Sequence, residues 1–349
     1  MKVAVLLSGG VDSSVALYLL KEMGYDVTAF YLKIWLQDEF SFLGDCPWEE
    51  DLNFASAVCK QASVPLEVLP LQTEYWDKVV SYTIAEIKSG RTPNPDMFCN
   101  RLIKFGEFYD KIDSSFEKVA SGHYARVENK EGKFLLKTSP DPIKDQTYFL
   151  AYLTQEQLSR ALFPIGNFTK TQIRKKAIVY NLPNMARKDS QGICFLGRIS
   201  FNEFIKHHLG ELSGDIVELE TGQIKGKHKG YYFYTIGQRS GLGLGGGPWY
   251  VVKKDINNNI IFISKQDYSS RARKEFKVTN FNWITEQPNN FENLKVKIRH
   301  GAKYYNCSLS LENGIGIVNI DQEDQGIAPG QFAVFYQDDV CLGGSVIIE

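Results

Sequence analysis

The stretch KVAVLLSGGVDSSVALYLL, residues 2–20, decides the fold. Residues 2–7 are a short apolar run of the kind that suits a strand buried on both faces of a parallel sheet. After a glycine turn, Val11, Val15 and Leu19 recur at helical spacing beside Ala16, Leu20 and Met23, and Gly24 supplies the stop. In the turn, the backbone amides of Ser8, Gly9 and Gly10 can close on a phosphate because glycine lets the chain approach. The helix N-terminus adds a positive dipole end, and Ser13 and Ser14 add hydroxyl donors. Asp12 is placed to help hold a magnesium ion or to fix the loop. No lysine lies in the turn, so it is not the GxxxxGK[ST] phosphate loop. The bland reading of the same residues is a plain glycine turn.

Working outward, 25–32 reads as a second strand, 49–62 as a helix, 65–71 as a strand, 74–88 as a helix and 117–121 as a strand. That β-α-β-α order predicts an α/β fold with a doubly wound parallel sheet. Beyond about residue 200 the pattern changes to short strand candidates at 213–219, 230–236, 249–253 and 259–264. Further runs follow at 276–282, 294–300, 304–310, 315–320, 331–337 and 341–348, a spacing that suggests a small barrel or sandwich. The expected organisation is therefore a catalytic unit over 1–204, a small central β-rich unit over 205–273 and a C-terminal β unit over 274–349. A length of 349 residues agrees with two or three domains of about 100–200 residues each.

Lys+Arg 40 against Asp+Glu 41 leaves a net charge of -1, so no global basic field points to nucleic acid. The charge is unevenly spread, however. Arg160 to Lys188 holds seven Lys/Arg and no acid, and Thr221 to Lys254 holds six more with His228. Such segments read either as an RNA footprint or as solvated surface. No uncharged apolar run reaches the roughly 18 residues of a membrane span, and the apolar start is too short for a signal peptide. Six cysteines without a CxxC pair argue against a disulfide scaffold or a structural zinc site. The expected setting is the cytoplasm, bacterial or the equivalent organellar compartment, with no membrane.

Two cysteine motifs carry possible chemistry. In NPDMFCNRLIKFG (94–106), Asn94-Pro95 reads as a loop, and Asp96 and Cys99 lie one turn apart if the segment curls. Arg101 and Lys104 are candidates to favour the thiolate. In DSQGICFLG (189–197), Cys194 sits between glycines just after the first basic stretch. Each alone reads as a buried core cysteine. As a pair they suit sulfur or disulfide chemistry, one thiol carrying and the other resolving. SGHY (121–124), KDQTYFL (144–150) and the glycine-rich YTIGQRSGLGLGGGPWYVV (234–252) are quieter candidates for pocket and binding loops.

Taken together, SGGVDSS, NPDMFCN, SGHY, KDQTYFL, DSQGICF, TIGQR and APGQFAVFY…CLGG resemble the tRNA-specific 2-thiouridylase family of the N-type ATP pyrophosphatase superfamily, in order and essentially end to end. The resemblance implies a pyrophosphatase unit, a small central unit and a C-terminal β-barrel. The implied activity is tRNA-uridine 2-sulfurtransfer: ATP-dependent thiolation of the wobble uridine of tRNAs for lysine, glutamate and glutamine. Carried over residue by residue, ATP would lie on Leu6, Leu7, Ser8, Gly9, Gly10, Val11, Asp12 and Ser13, with Leu32 against the adenine and Gly122 closing the pocket. Asn94, Pro95 and Asp96 would meet the target base. Cys99 would be the nucleophile, Cys194 the persulfide carrier and Asp96 an acid–base or positioning group. His123, Lys144, Asp145, Gln146, Arg299, His300 and Gln331 would contact tRNA. ATP and Mg²⁺ are the implied cofactors, and a sulfur-donor relay protein and tRNA the partners of a monomer. Leu6 stands where many relatives carry Gly, and Leu32 where many carry Met.

Three alternatives stay open on these residues. Asp96, Cys99 and Cys194 suggest an iron–sulfur cluster as a less favoured variant, since three ligands without a fourth cysteine are unusual. A ligase or amidotransferase of the same superfamily would use the loop and have no need of the two cysteines. A nucleotide-gated RNA-binding protein would bind tRNA without releasing pyrophosphate.

Overall fold

The computed structural model describes residues 1–34, 47–188, 200–266, 273–288, 290–291 and 294–348. The opening strand β1 (Lys2–Leu6) leads through the glycine turn into helix α1 (Val11–Glu22) and strand β2 (Asp26–Lys33). Helix α2 (Pro47–Ala62) returns the chain to β3 (Leu66–Pro70), and further helix covers 72–88 (α3) and 95–111 (α4) before β4 (Lys118–Ala120). With β7 (Ala161–Leu162) these strands form one all-parallel sheet in the order β3-β2-β1-β4-β7.

The period-two geometry of β1 explains its unbroken apolar run. Val3 and Val5 face Leu17, Leu20, Ala55 and Val58 from α1 and α2. Ala4 and Leu6 face Phe105, Phe108 and Phe116 on the opposite side. Both faces are covered, so alternation with polar residues would put unpaired polar groups in a core.

The C-terminal strands β12 (Arg273–Trp283), β13 (Leu294–Lys297), β14 (Tyr305–Glu312), β15 (Ile315–Asp324), β16 (Phe332–Gln337) and β17 (Val340–Ile347) form a closed six-stranded antiparallel barrel. Pairing of β12 with both β15 and β17 removes the free edges. Of barrel and sandwich, closure selects the barrel.

One strand expectation needs correction. The aromatic stretch 230–236 is no strand: Tyr231–Phe233 is a 3₁₀ turn whose rings pack on one another. The fourth strand of the small sheet is instead β9 (Ile224–His228), at the edge of the order β10-β11-β8-β9, where β8 is Gly214–Glu218, β10 Tyr250–Asp255 and β11 Ile260–Ser264. Two lysines and a glycine hide it from an apolar pattern, and such charge is what an edge strand tolerates. A hairpin was also missed, β5 (Ala125–Lys130) with β6 (Lys133–Thr138), turned at Glu131-Gly132 where both residues have positive φ. Although early in the chain, it extends the barrel sheet: Leu136 of β6 pairs with Cys341 of β17. One continuous core thus runs from Leu6 and Phe30 through Met97 and Tyr148 to Phe332 and Tyr336.

Among the described residues, no helix is long and apolar enough to cross a membrane.

Candidate active site

The strand order reverses direction at β1, between β2 and β4. In open parallel sheets, ligands bind outside the carboxyl ends of strands at such a switch point. The loops after β1 and β4 meet there. A Cβ on Gly122 would lie 2.7 Å from the Ser13 amide nitrogen and 2.9 Å from the Asp12 carbonyl carbon, so only glycine permits this approach. Gly9 adopts φ +72, and a Cβ there would meet the Asp51 carbonyl oxygen at 2.3 Å.

The loop is cross-braced. Ser13 and Ser14 hydroxyls donate to the Gly10 carbonyl at 3.1 and 2.9 Å. The Ser8 amide donates to Ser13 Oγ at 3.3 Å. Gly10 caps α1 without a side-chain partner for the first amides, so the N–H groups opening α1 face outward with the positive end of the dipole. The arrangement fits a polyphosphate: backbone donors, no side chain in the way and a dipole of the right sign.

The sequence reading missed the cations at this loop. Lys170, first residue of helix α5 (Lys170–Val179), donates to both carboxylate oxygens of Asp12 at 2.8 and 2.9 Å, and the Tyr124 hydroxyl donates to the same group at 3.0 Å. Asn184 donates to the Gly9 carbonyl at 2.8 Å, as does Arg187 at 3.1 Å, and Arg187 is also paired with Asp51. Lys170 and Arg187 belong to the acid-free segment 160–188 that also reads as an RNA footprint. These two fold against the nucleotide loop instead. A capping box, Thr169 with Gln172, marks the start of α5 in the sequence and sets Lys170 at its first turn.

The cysteine motif begins as a helix. Asn94 accepts from the Met97 amide at 3.4 Å as an N-cap, and Pro95 takes the first helical position, so Asn-Pro starts α4 where it was read as a loop. From Cys99 to Glu107 the helix is wound as a π-helix, a rare form found often at functional positions. Cys99 is 1% exposed, in an apolar cluster with Leu71, Tyr75, Ile103 and Phe204. Asp96 is half-buried. Of the two expected activating cations, Arg101 lies over the Tyr152 ring at 5.6 Å, and Lys104 donates to Asn100 Oδ1 at 3.1 Å. Leu32 and Leu69, at the carboxyl ends of β2 and β3, pack against this same cluster.

The barrel holds the turn before Asn94. Gln331 Nε2 donates to the Thr92 and Pro93 carbonyls at 3.1 and 3.0 Å, and the Thr92 amide donates to the Pro329 carbonyl at 2.9 Å. The Tyr148 hydroxyl donates to the Phe332 carbonyl at 3.1 Å. Asn100 Nδ2 donates to the Phe149 carbonyl at 3.1 Å.

Of the other expected tRNA residues, Asp145 and His300 are joined directly. Asp145 is 2% exposed and pairs with fully buried Lys297 at 3.1 Å, while Thr147 Oγ1 donates to it at 2.7 Å. Its carbonyl is 3.1 Å from His300 Nε2, and the His300 ring stacks on Phe149 at 4.7 Å. The Gln146 side chain accepts from the Tyr124 amide at 3.0 Å. Arg299 forks onto Asp324 at 2.9 and 2.6 Å and remains exposed. His123 is buried, with Nδ1 2.7 Å from Ser121 Oγ and Phe105 and Phe163 beside its ring. Burial, with the Lys104 charge nearby, holds it neutral, well below the usual histidine range. Asp145 and His123 therefore stand inside the fold, and Lys144, Arg299 and His300 lie nearer its surface.

Cys194 and the whole DSQGICFLG motif lie outside the described residues. Among the described residues, no three His, Cys, Asp or Glu converge as metal ligands. The glycine-rich segment is tied down near its ends: the Gly237 amide donates to the Val251 carbonyl at 2.8 Å, and the Val251 amide to Gln238 at 3.0 Å.

Known proteins match along the full length. Family profiles described as a tRNA methyl transferase HUP domain, a tRNA methyl transferase PRC-barrel domain and an aminomethyltransferase beta-barrel domain match residues 1–198, 202–265 and 273–347. A tRNA-specific 2-thiouridylase MnmA of Parabacteroides distasonis is 48% identical over 100% of this chain and 99% of its own. One of Porphyromonas gingivalis is 46% identical at 100% and 99% coverage. Among solved structures, a 4-thiouridine synthetase–RNA complex with bound ATP aligns at TM-score 0.35 and 16% identity, over 55% of this chain and 44% of that one.

Proposed function

The chain belongs to the tRNA-specific 2-thiouridylase family, and from that premise we propose that it converts the wobble uridine of tRNA to 2-thiouridine with ATP. The observation that carries the reading is the linkage of two reactive elements. The phosphate loop bonds to Tyr124, Tyr124 to Gln146, and the same segment through the Phe149 carbonyl to Asn100, next to Cys99.

The uridine 2-carbonyl is a poor electrophile, so its oxygen first attacks the α-phosphate of ATP and pyrophosphate leaves. Amides at the start of α1 stabilise the phosphates, and Lys170 moves charge onto them from Asp12. Asp12, whose carboxylate now pairs with Lys170, would be the residue to hold a Mg²⁺ ion, which would supply charge neutralisation at the phosphates. A persulfide on Cys194 then attacks C2 through its terminal sulfur and expels AMP. The Cys99 thiolate attacks Cys194 Sγ, so the S–S bond to the base breaks, the base keeps the outer sulfur and a Cys99–Cys194 disulfide forms. An external dithiol reduces that disulfide. Sulfur arrives from a relay protein, and the enzyme works as a cytoplasmic monomer. To be reached, the base must leave its stack.

The test is thiolation of an unmodified tRNA transcript with ATP, Mg²⁺ and a persulfide donor, read by mercury-affinity gel shift. Wild type should shift the band, and Cys99→Ser and Cys194→Ser should both lose the shift while still binding ATP. A shift that survives Cys194→Ser would sink the persulfide route. Pyrophosphate release without any shift would return the chain to the wider adenylating superfamily.

A further inference from the structure

A cavity of about 230 Å³ opens between the turn before Asn94 and the small sheet. Arg91, Pro93 and Pro95 wall one side, and Tyr232, Tyr234 and Lys254 the other. The thiolation chemistry leaves this cavity unused. Its first wall is nevertheless the segment proposed to meet the target base, since Pro93 is held by Gln331 and Pro95 opens α4. Lys254 enters from β10, half-buried, with Nζ donating to the Tyr234 carbonyl at 3.3 Å. Burial pulls its ammonium down from the ordinary lysine value to about 8. Arg91 sits on the exposed rim, already paired with Glu86, so Lys254 is the inner cation.

Tyrosine and proline faces joined to a lysine have the composition that accepts one unstacked base and its phosphate. Aromatic surfaces hold a base by stacking, and cations hold the backbone. The volume limits the occupant. About 230 Å³ falls below the ~300–1,000 Å³ that encloses drug-sized ligands and suits a single base.

We infer that this cavity seats the nucleotide adjacent to the target uridine, its base against Tyr232 and Tyr234 and its phosphate at Lys254. Splaying that neighbour out of the anticodon loop presents the uridine to Asn94–Asp96. The inference rests on the thiolation reading and adds a positioning site to it.

The experiment is steady-state thiolation by the full chain with three transcripts: intact, abasic immediately 5′ of the uridine, and abasic immediately 3′. Lys254→Met should raise KM for intact tRNA roughly tenfold, leave kcat and KM for ATP within about twofold, and lower the salt slope of binding by about one. Lys254→Arg should restore most of the KM and thereby exclude misfolding. Tyr234→Ala should raise KM comparably, and that effect should vanish on one abasic transcript and persist on the other. If wild type thiolates but Lys254→Met leaves KM and the salt slope unmoved, the cavity is no nucleotide site. Full additivity of Tyr234→Ala with both abasic changes overturns it equally. Absence of thiolation by wild type removes the parent reading and this one together.

Discussion

The nucleotide loop and the Asn94–Cys99 turn are the two elements on which the proposed reaction rests, and they are built by opposite means. The loop is largely local: eight consecutive residues, 6–13, between a strand and a helix, with amides aimed by the helix itself. The turn has a local cap at Asn94, but its position comes from the barrel, through Gln331 hydrogen bonds to residues 239 and 238 positions away. A phosphate is recognised by backbone donors, which any strand–turn–helix supplies. A thiol and a target base must meet at one distance, and only a rigid, distant support sets it.

Substitutions that strike one region and spare the other separate the two. The largest effect is expected at Gly122. In Gly122→Ala the new methyl collides with the Ser13 and Asp12 backbone and forces the loop aside, and overpacking of this kind costs about 1–3 kcal/mol. KM for ATP should rise up to about 100-fold, with tRNA affinity by filter binding unchanged. A parallel loss of tRNA affinity would mean that the two regions are not separable.

Lys170→Met comes next. It removes two charge-assisted bonds to Asp12, and such contacts are worth about 1.5–3 kcal/mol. The Tyr124 bond to Asp12 remains, so the lower end of that range, about 1.5–2 kcal/mol, applies, and KM for ATP should rise about 10- to 30-fold in steady-state pyrophosphate release, again with tRNA binding retained.

Gln331→Ala probes the other region. Both lost bonds go to carbonyls that water can reach in part, so about 1 kcal/mol is expected. The turn should loosen, thiolation kcat should drop about fivefold, and KM for ATP should stay fixed. A rise in KM for ATP would instead couple the barrel to the loop.

The smallest effect belongs to Asp324, outside both regions. Burial raises its carboxyl, but bonds from Arg299, Tyr305 and the Gly326 amide outweigh that and hold it below the usual range. A depressed carboxylate stabilises the fold above its unfolded pKa of about 3.9, and the contribution fades as pH falls through the folded value. The thermal advantage of wild type over Asp324→Asn should therefore be full at neutral pH and shrink below about pH 4, with KM for ATP unmoved.

Much of the fold was legible because its signals are local. The run from Lys2 to Leu7 and the helical spacing of Val11, Val15 and Leu19 follow from burial on two faces and one. The hairpin at 125–138 escaped because its lysines and glutamates mask the alternation, and its stability comes from pairing with β17. The 3₁₀ turn at Tyr231–Phe233 escaped because aromatic residues favour strands until ring packing overrides them.

By itself the sequence determined the parallel sheet and the glycine turn between β1 and α1, since each depends on neighbours within a few residues. Tertiary structure alone decided that Lys170 and Arg187 serve the loop, and that Asp145 is locked on Lys297 inside the fold. It also decided that Gln331 positions the turn ahead of Cys99. Charge and hydrogen bonding act over a few ångströms of space, and sequence separation does not report that distance.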